Sequence, residues 1–382
     1  MKNKIILASD SFKGSLTSLE VGRAAARAVK AVMPEMGCEI VPVADGGEGT
    51  VEAVVSALKG EFVTARVTGP LGEPVEAVYG VCGDTAVIEM AAASGLPLVP
   101  TERRNPWLTT SFGTGELIRD ALGRGCRRFL VGIGGSATND AGVGMLMALG
   151  FRFYDADGRE VGRGGGEVGR IVAVDESGIV PSLKESEFIV ACDVTNPLTG
   201  LNGASHVFGP QKGADPAMVD KLDACLEEFA RVIAGAKGND FSTRPGAGAA
   251  GGLGFAFLAF LGARLEPGIE MVLNAVGFDK TLEDGFLVVT GEGRLDSQTC
   301  MGKTPYGVLK RALARGIPTV AIGGAIVPDA IPALIEAGFA AVFPIVAGPV
   351  ELSEALKPEV ADANVERTVG QILRTIKITI TC

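Results

Sequence analysis

A chain of 382 residues is about two to three times the length of an ordinary domain, so two domains are expected, each able to bury a core. With 47% hydrophobic and 21% charged residues the chain is globular, and 35 basic against 45 acidic residues leave a net charge of -10, which excludes a general nucleic-acid or anionic-membrane binder. Aromatics at 5% against 54 glycines exclude a base-stacking surface as well.

The start, Met1 to Ala8, carries no apolar run of the length a secretory signal needs before Asp10 interrupts it, so a cytoplasmic protein is expected. Short apolar runs that end in polar or Gly-rich turns and pass into helical periodicity mark βα units. The first run, 4–10, ends at Asp10. Beyond Ser11–Ser15, Thr17 and Glu20 have capping-box spacing and Val21, Ala25, Ala28 and Val32 share one face, which predicts a helix over 17–33. A second strand over 39–45 ends at Asp45 and Gly46, Gly47 and Gly49, ahead of a helix over 50–58. Segments 62–67, 75–79 and 85–89 alternate between Gly and Pro turns and predict antiparallel hairpins. A helical segment over 115–122 leads to a strand over 128–133, the turn Gly134–Asp140 and helical 145–149. A strand over 187–193 ends in Asp193, and an amphipathic helix over 217–233 and an apolar helix over 251–262 follow. The stretch Phe255–Ala263 falls far short of the ~20 residues that cross a bilayer. Runs at 286–290, 319–322 and 341–345, spaced by helical segments, repeat the doubly wound pattern, so the two chain ends are expected to share one sheet. The α/β domain then comprises 1–66 plus 283–382, with part of 110–150 as a further candidate member. An inserted mixed α/β domain, 67–282, leaves a cleft for a ligand.

Carboxylates recur just past strand ends, at Asp10, Asp45, Asp140, Asp193, Glu292 and Asp296. In doubly wound sheets those ends face the ligand crevice, and acids there suit Mg²⁺ and the activation of a hydroxyl, although each alone equally suits a turn or a helix cap. Gly-rich turns at Lys13-Gly14-Ser15, Gly134-Gly135-Ser136, Gly246–Gly252 and Gly302-Lys303-Thr304 offer backbone N–H groups to phosphate. Gly246, Gly248 and Gly251 have dinucleotide-fingerprint spacing but follow Thr243-Arg244-Pro245 where a strand belongs, which favours a close-packed helix start. Gly302-Lys303-Thr304 has Ser297 where a P-loop needs Gly, and Thr304 with Pro305 is expected as an N-cap and first helical residue. Cations in loops are Lys13, Arg103, Arg104, Lys212, Arg294 and Lys303, with Lys13 and Lys303 in the best contexts. The seven cysteines, Cys38 to Cys382, form no C-x-x-C and are expected as reduced structural thiols, and a single histidine, His206, excludes a two-His metal site. His206 is assigned no role.

Together these segments resemble the bacterial glycerate kinases that are unrelated to P-loop enzymes. The resemblance rests on Ser9–Ser15, Pro42–Thr50, Glu89–Gly95, Gly132–Asp140, Cys192–Pro197, Phe208–Gly213 and Thr290–Ser297 with Gly302–Thr304, and it covers essentially the whole chain. Departures are Ala141, where a Gly is expected, and Ala325-Ile326, where many relatives are more polar. The resemblance implies ATP- and Mg²⁺-dependent phosphorylation of D-glycerate, to 2-phosphoglycerate or else 3-phosphoglycerate, in a flavodoxin-like domain built from both chain ends around an inserted domain. It implies ATP and D-glycerate as the small-molecule partners, no nucleic acid or membrane, and allows a homo-oligomer.

A kinase must position a hydroxyl, neutralise the transferring phosphoryl group and exclude water. On that basis Asp10 or Asp193 is expected to orient or deprotonate the hydroxyl, with Lys13 beside it. Gly134, Gly135, Ser136, Lys303 and Thr304 are expected on the nucleotide phosphates, and Arg104, Asn196 and Lys212 on the substrate. Asp45, Glu292 and Asp296 are expected near the metal. Two alternatives stay open: a nicotinamide-dependent hydroxy-acid dehydrogenase, which should carry G-x-G-x-x-G after its first strand where this chain has Ser9-Asp10-Ser11-Phe12-Lys13-Gly14, and a non-catalytic nucleotide- or sugar-acid-binding module.

Overall fold

Ile5, Ile6 and Leu7 are buried on both sides of their strand, as a strand covered by helices on both faces requires. The structure is a computed structural model that describes residues 3–381, so Met1, Lys2 and Cys382 lie outside the described residues. The strands in chain order are β1 (Lys4–Leu7), β2 (Gly37–Ile40), β3 (Glu61–Thr68), β4 (Pro74–Cys82), β5 (Thr85–Glu89), β6 (Arg128–Gly132), β7 (Arg152–Tyr154), β8 (Ala173–Asp175), β9 (Glu187–Ala191), β10 (Arg264–Glu266), β11 (Gly285–Leu295), β12 (Thr319–Ile326) and β13 (Ala341–Pro344). Contacts divide the chain into two units: Met1–Asp45 with Glu52–Leu58 and Ile269–Cys382, and Gly46–Val51 with Lys59–Gly268.

The first unit holds a five-stranded, wholly parallel sheet ordered β13-β12-β11-β1-β2, so both chain ends do share one sheet. Counted along the chain this is the flavodoxin-like order 2-1-3-4-5, with its switch point between β1 and β11. One face is covered by the helix Ser18–Val32, whose Val21, Ala25, Ala28 and Val32 pack with Val365, Val369 and Leu373 of the helix Pro358–Thr381 onto Ile5, Leu7, Leu287 and Val289. The first of these helices starts as its sequence predicts: Thr17 caps Glu20 N, and the Glu20 carboxylate accepts from Thr17 N at 2.9 Å. Leu309 of the helix Thr304–Leu313, with Leu334 and Phe339, covers Ala321 and Leu295 on the other face. The strand β2 stops at Ile40 and not at Asp45, because Pro42 has no N–H to continue the ladder. Residues 269–275, the body of the helix Gly268–Ala275, also belong to this unit. Arg311 fastens the helix by donating to Glu270 and Asn274, at 3.2 and 2.8 Å, and to Asp279.

The second unit holds a six-stranded mixed sheet, β10-β9-β6-β5-β4-β3, and the small antiparallel pair β7-β8. The strands β3, β4 and β5 form the expected antiparallel hairpins, while β5, β6, β9 and β10 run parallel. Full pairing of β3 with β4 carries residues 61–66 into this sheet, where the sequence had suggested the other domain. The core is aromatic: Phe129 stacks on Phe188 with centroids 4.7 Å apart, and Phe188 meets Phe257 of the helix Ala249–Leu261. That helix opens irregularly, with Ala250, Gly251 and Gly252 at positive φ. A Cβ on Gly251 would lie 2.0 Å from Thr138 O, so the spacing that mimics a dinucleotide fingerprint is a close approach of two backbones.

Two glycines should therefore respond oppositely to alanine. Gly251 combines φ +68 with that collision, and Gly251→Ala should lose roughly 2 kcal/mol or more of stability in urea melts. Gly235 is exposed in the helix Pro216–Lys237 with open space around its α-carbon, and Gly235→Ala should gain about 0.5–1 kcal/mol. Equal midpoints for the two variants would refute this account.

Candidate functional site

At the switch point of the first unit, β1 and β11 end side by side, and the pairing continues beyond β1 through Ala8 N to Val289 O and Asp10 N to Gly291 O. Asp10 is thereby carried to the carboxyl edge of the sheet, with only 6% of its surface exposed. One carboxylate oxygen accepts from Ser11 N at 2.7 Å and the other from Thr304 Oγ1 at 2.5 Å. Burial, and next the negative charge of Asp45, push its pKa up to about 7, against the lowering pull of Thr304, Ser11 and Lys13. Thr304 is not the N-cap expected of it. Lys303 takes the cap position, and Thr304, fully buried as the first helical residue, turns its hydroxyl to Asp10 because a carboxylate without water needs donors.

A second group of side chains lies on the same helix start. Glu292, near the end of β11, accepts from Thr299 Oγ1 at 2.6 Å, and Lys303 Nζ stands 3.6 Å from both Glu292 and Asp296. Burial raises the Glu292 pKa, partly offset by Thr299 and Lys303. The exposed Lys13 reaches this edge too, since a Cβ on Gly293 would sit 3.6 Å from Lys13 N. Asp10, Lys13, Glu292, Asp296, Lys303 and Thr304 are thus brought together, and Asp45 acts on the group through its charge. The donor set is all carboxylate and hydroxyl oxygen, which suits a hard divalent cation that takes its remaining ligands from phosphates. No group of three or more His, Cys, Asp or Glu side chains that could hold a metal ion occurs among the described residues.

In the second unit the carboxyl ends of β5, β6 and β9 carry Glu89, the segment Ile133–Asp140 and Asp193. Gly134 and Gly135 are exposed while Ser136 is buried. The loop is laced in place by Leu96 N to Gly135 O, Ala137 N to Ser94 O and Thr109 Oγ1 to Ala137 O. At its end Asp140, 1% exposed, accepts from Ser111 N, Ser111 Oγ, Gly142 N and Gly144 N at 2.8, 2.9, 3.1 and 3.3 Å. Lys212, expected on a substrate carboxylate, is buried and gives its Nζ to Thr138 O at 2.6 Å. Arg104 Nε, Thr138 Oγ1 and Asn139 Oδ1 are buried without a hydrogen-bond partner. Asn196 donates to Asn202 O at 2.8 Å, and the exposed Asp193 accepts from Gly268 N at 3.0 Å.

Glu89 has a part that strand-end reasoning had not given it. Its carboxylate accepts from Val51 N at 2.9 Å, in the first turn of the helix Thr50–Leu58. An acid closing the apolar strand 85–89 ahead of the small-residue run Ala91–Ala93 is the sequence signal for it. Gly46, the residue after Asp45, lies so close to β9 that a Cβ there would be 2.5 Å from Ala191 Cβ, and one on Gly132 would be 2.3 Å from Gly46 O.

Comparison with known proteins gives one consistent answer. Residues 5–377 match the model of the glycerate kinase family. The chain is 51% identical over 377 residues to a protein named glycerate kinase in Bacillus subtilis (strain 168), with 98% of each chain covered. It is 49% identical over 377 residues to one named glycerate 2-kinase in Escherichia coli (strain K12), again with 98% of each covered. A solved structure of a glycerate kinase 2 from Salmonella typhimurium LT2 superposes with a TM-score of 0.92 at 46% identity, over the full length of both chains. The chain belongs to the glycerate kinase family.

Proposed function

We propose that the protein transfers the terminal phosphoryl group of ATP, with Mg²⁺, to the 2-hydroxyl of D-glycerate. The observation that carries this reading is the buried carboxylate of Asp10, oriented by Thr304 and Ser11 at the switch point and poised near neutrality. A base whose pKa lies near the working pH is suited to take the proton of a weakly acidic hydroxyl as the oxygen attacks. The choice of the 2-hydroxyl is supported by the name of the Escherichia coli relative.

Within this reading Asp10 accepts the hydroxyl proton, and Thr304 fixes which carboxylate oxygen faces it. Lys13 and Lys303 lend positive charge to the phosphates. The backbone of Gly134, Gly135 and Ser136 offers N–H groups to the nucleotide, and Arg104 with Asn196 is assigned to the substrate. Asp193 is the alternative orienting acid. A divalent cation carried in on the nucleotide phosphates would take one or two further ligands from among Asp45, Glu292 and Asp296 and would neutralise charge on the transferred group. A hydride-transfer reading has no such use for paired carboxylates at β1 and β11, and the turn after β1 lacks its fingerprint.

ADP should appear only when D-glycerate, ATP and a divalent cation are all present, with 2-phosphoglycerate resolved from the 3-isomer by phosphorus NMR. Undiminished turnover in excess chelator would remove the metal from the reading. Asp10→Asn keeps the shape of the side chain and should melt like wild type while losing roughly 10²-fold or more in kcat. Asp193→Asn tests the alternative in the same way, and normal kinetics in both variants would dismiss both acids. Lys303→Arg should retain more activity than Lys303→Ala if charge at the helix start is what matters, and two variants with wild-type ATP affinity and turnover would make Lys303 a bystander.

A further inference from the structure

Lys212 is 2% exposed. It closes the turn Pro210–Lys212, which packs tightly on the neighbouring chain: Gly213, at φ +97, lies so close to Arg104 that a Cβ would sit 2.3 Å from Arg104 O. From there the ammonium donates to Thr138 O, while on another side the backbone of Gly251 presses on the same carbonyl. Two residues on, Asp140 anchors the chain through Ser111, Gly142 and Gly144, and Asn139 Nδ2 donates to Ser205 Oγ at 3.0 Å. Asp140 is the charged group that acts on the Lys212 ammonium, favouring its charged form, whereas burial, the larger influence, pulls its pKa down to about 7.

A buried ammonium with one carbonyl acceptor is an expensive way to stabilise a fold, and apolar side chains of the same size commonly do as well. Its distinctive effect is geometric. It sets the peptide of Thr138 within the segment whose first residues, Gly134 to Ser136, are assigned above to the nucleotide phosphates. We propose that Lys212 is a positioning residue that, with Asp140, holds the Gly134–Asp140 loop in its phosphate-binding shape and does not itself touch the substrate. The inference rests on the kinase reading.

The two roles open to Lys212 predict different kinetics. As a positioning residue, Lys212→Met should lower kcat by about tenfold or more and raise the ATP KM by about fivefold, leaving the glycerate KM within about twofold. Amide hydrogen exchange in a peptide covering 134–141 should quicken by about tenfold while β11 stays protected. Combining Lys212→Met with Asp140→Asn removes both buried charges, so the double variant should lose less stability than the sum of the two single losses. A glycerate KM raised by about tenfold or more at nearly normal kcat would make Lys212 a substrate ligand and overturn the proposal. So would wild-type exchange over 134–141, or strict additivity of the two substitutions. If Lys212→Met does not fold, Lys212→Gln keeps a donor for Thr138 O. Positioning then predicts a normal glycerate KM and more activity than an apolar side chain gives, and direct contact predicts the raised KM. Exchange needs no turnover, so a wild-type protein inactive on glycerate defeats the kinase reading and leaves the loop tether to be judged by exchange alone.

Discussion

The hydrogen bond from Thr304 to Asp10 joins residues 294 positions apart, and much of the first unit is arranged so that it can form. Asp10 reaches the edge of the sheet because β1 lies beside β11 and its pairing runs on to Gly291. Thr304 reaches it because the helix Thr304–Leu313 is seated on the sheet by Leu309. A carboxylate withdrawn from water and facing a second acid must either take up a proton or find donors. Asp10 finds two and still titrates near neutrality, a balance that neither full exposure nor full pairing would produce.

The second unit solves a related problem with opposite charges. Asp140 and Lys212 are both sealed from solvent, and each spends its hydrogen bonds on backbone or hydroxyl groups of neighbouring segments instead of on the other. Such groups hold a loop by direction as well as by contact, since a hydrogen bond weakens steeply as its donor–hydrogen–acceptor angle departs from linear. The glycines nearby complete the arrangement: Gly251 allows one backbone to touch another, and Gly213 gives the turn its left-handed bend.

Local signals made much of this legible. The capping box at Thr17 and Glu20 fixed a helix start to the residue, and alternation between 62 and 89 gave the hairpins. The rule that ligands gather at carboxyl ends of parallel strands pointed to Asp10 and Glu292 without any partner being known. What stayed hidden depends on long-range encounters. Nothing beside Lys212 announces Thr138, which is 74 residues away, and nothing near Thr304 says that its hydroxyl will prefer Asp10 to its own helix. Short strands such as β7, β8 and β10, three residues each, leave no periodicity to read.

The sheet order also dictates a schedule for synthesis. Leu7 cannot find its β11 partner until Val289 has been made, so at about 5–20 residues per second the apolar strand β1 waits roughly fifteen seconds to a minute on the ribosome with one flank open. The second unit is almost uninterrupted from Lys59 to Gly268 and can collapse during that interval. A nascent chain of this protein therefore carries a largely complete second unit while Ile5-Ile6-Leu7 has only β2 to pair with, and the flank that β11 will cover stays open until the last third of the chain is made.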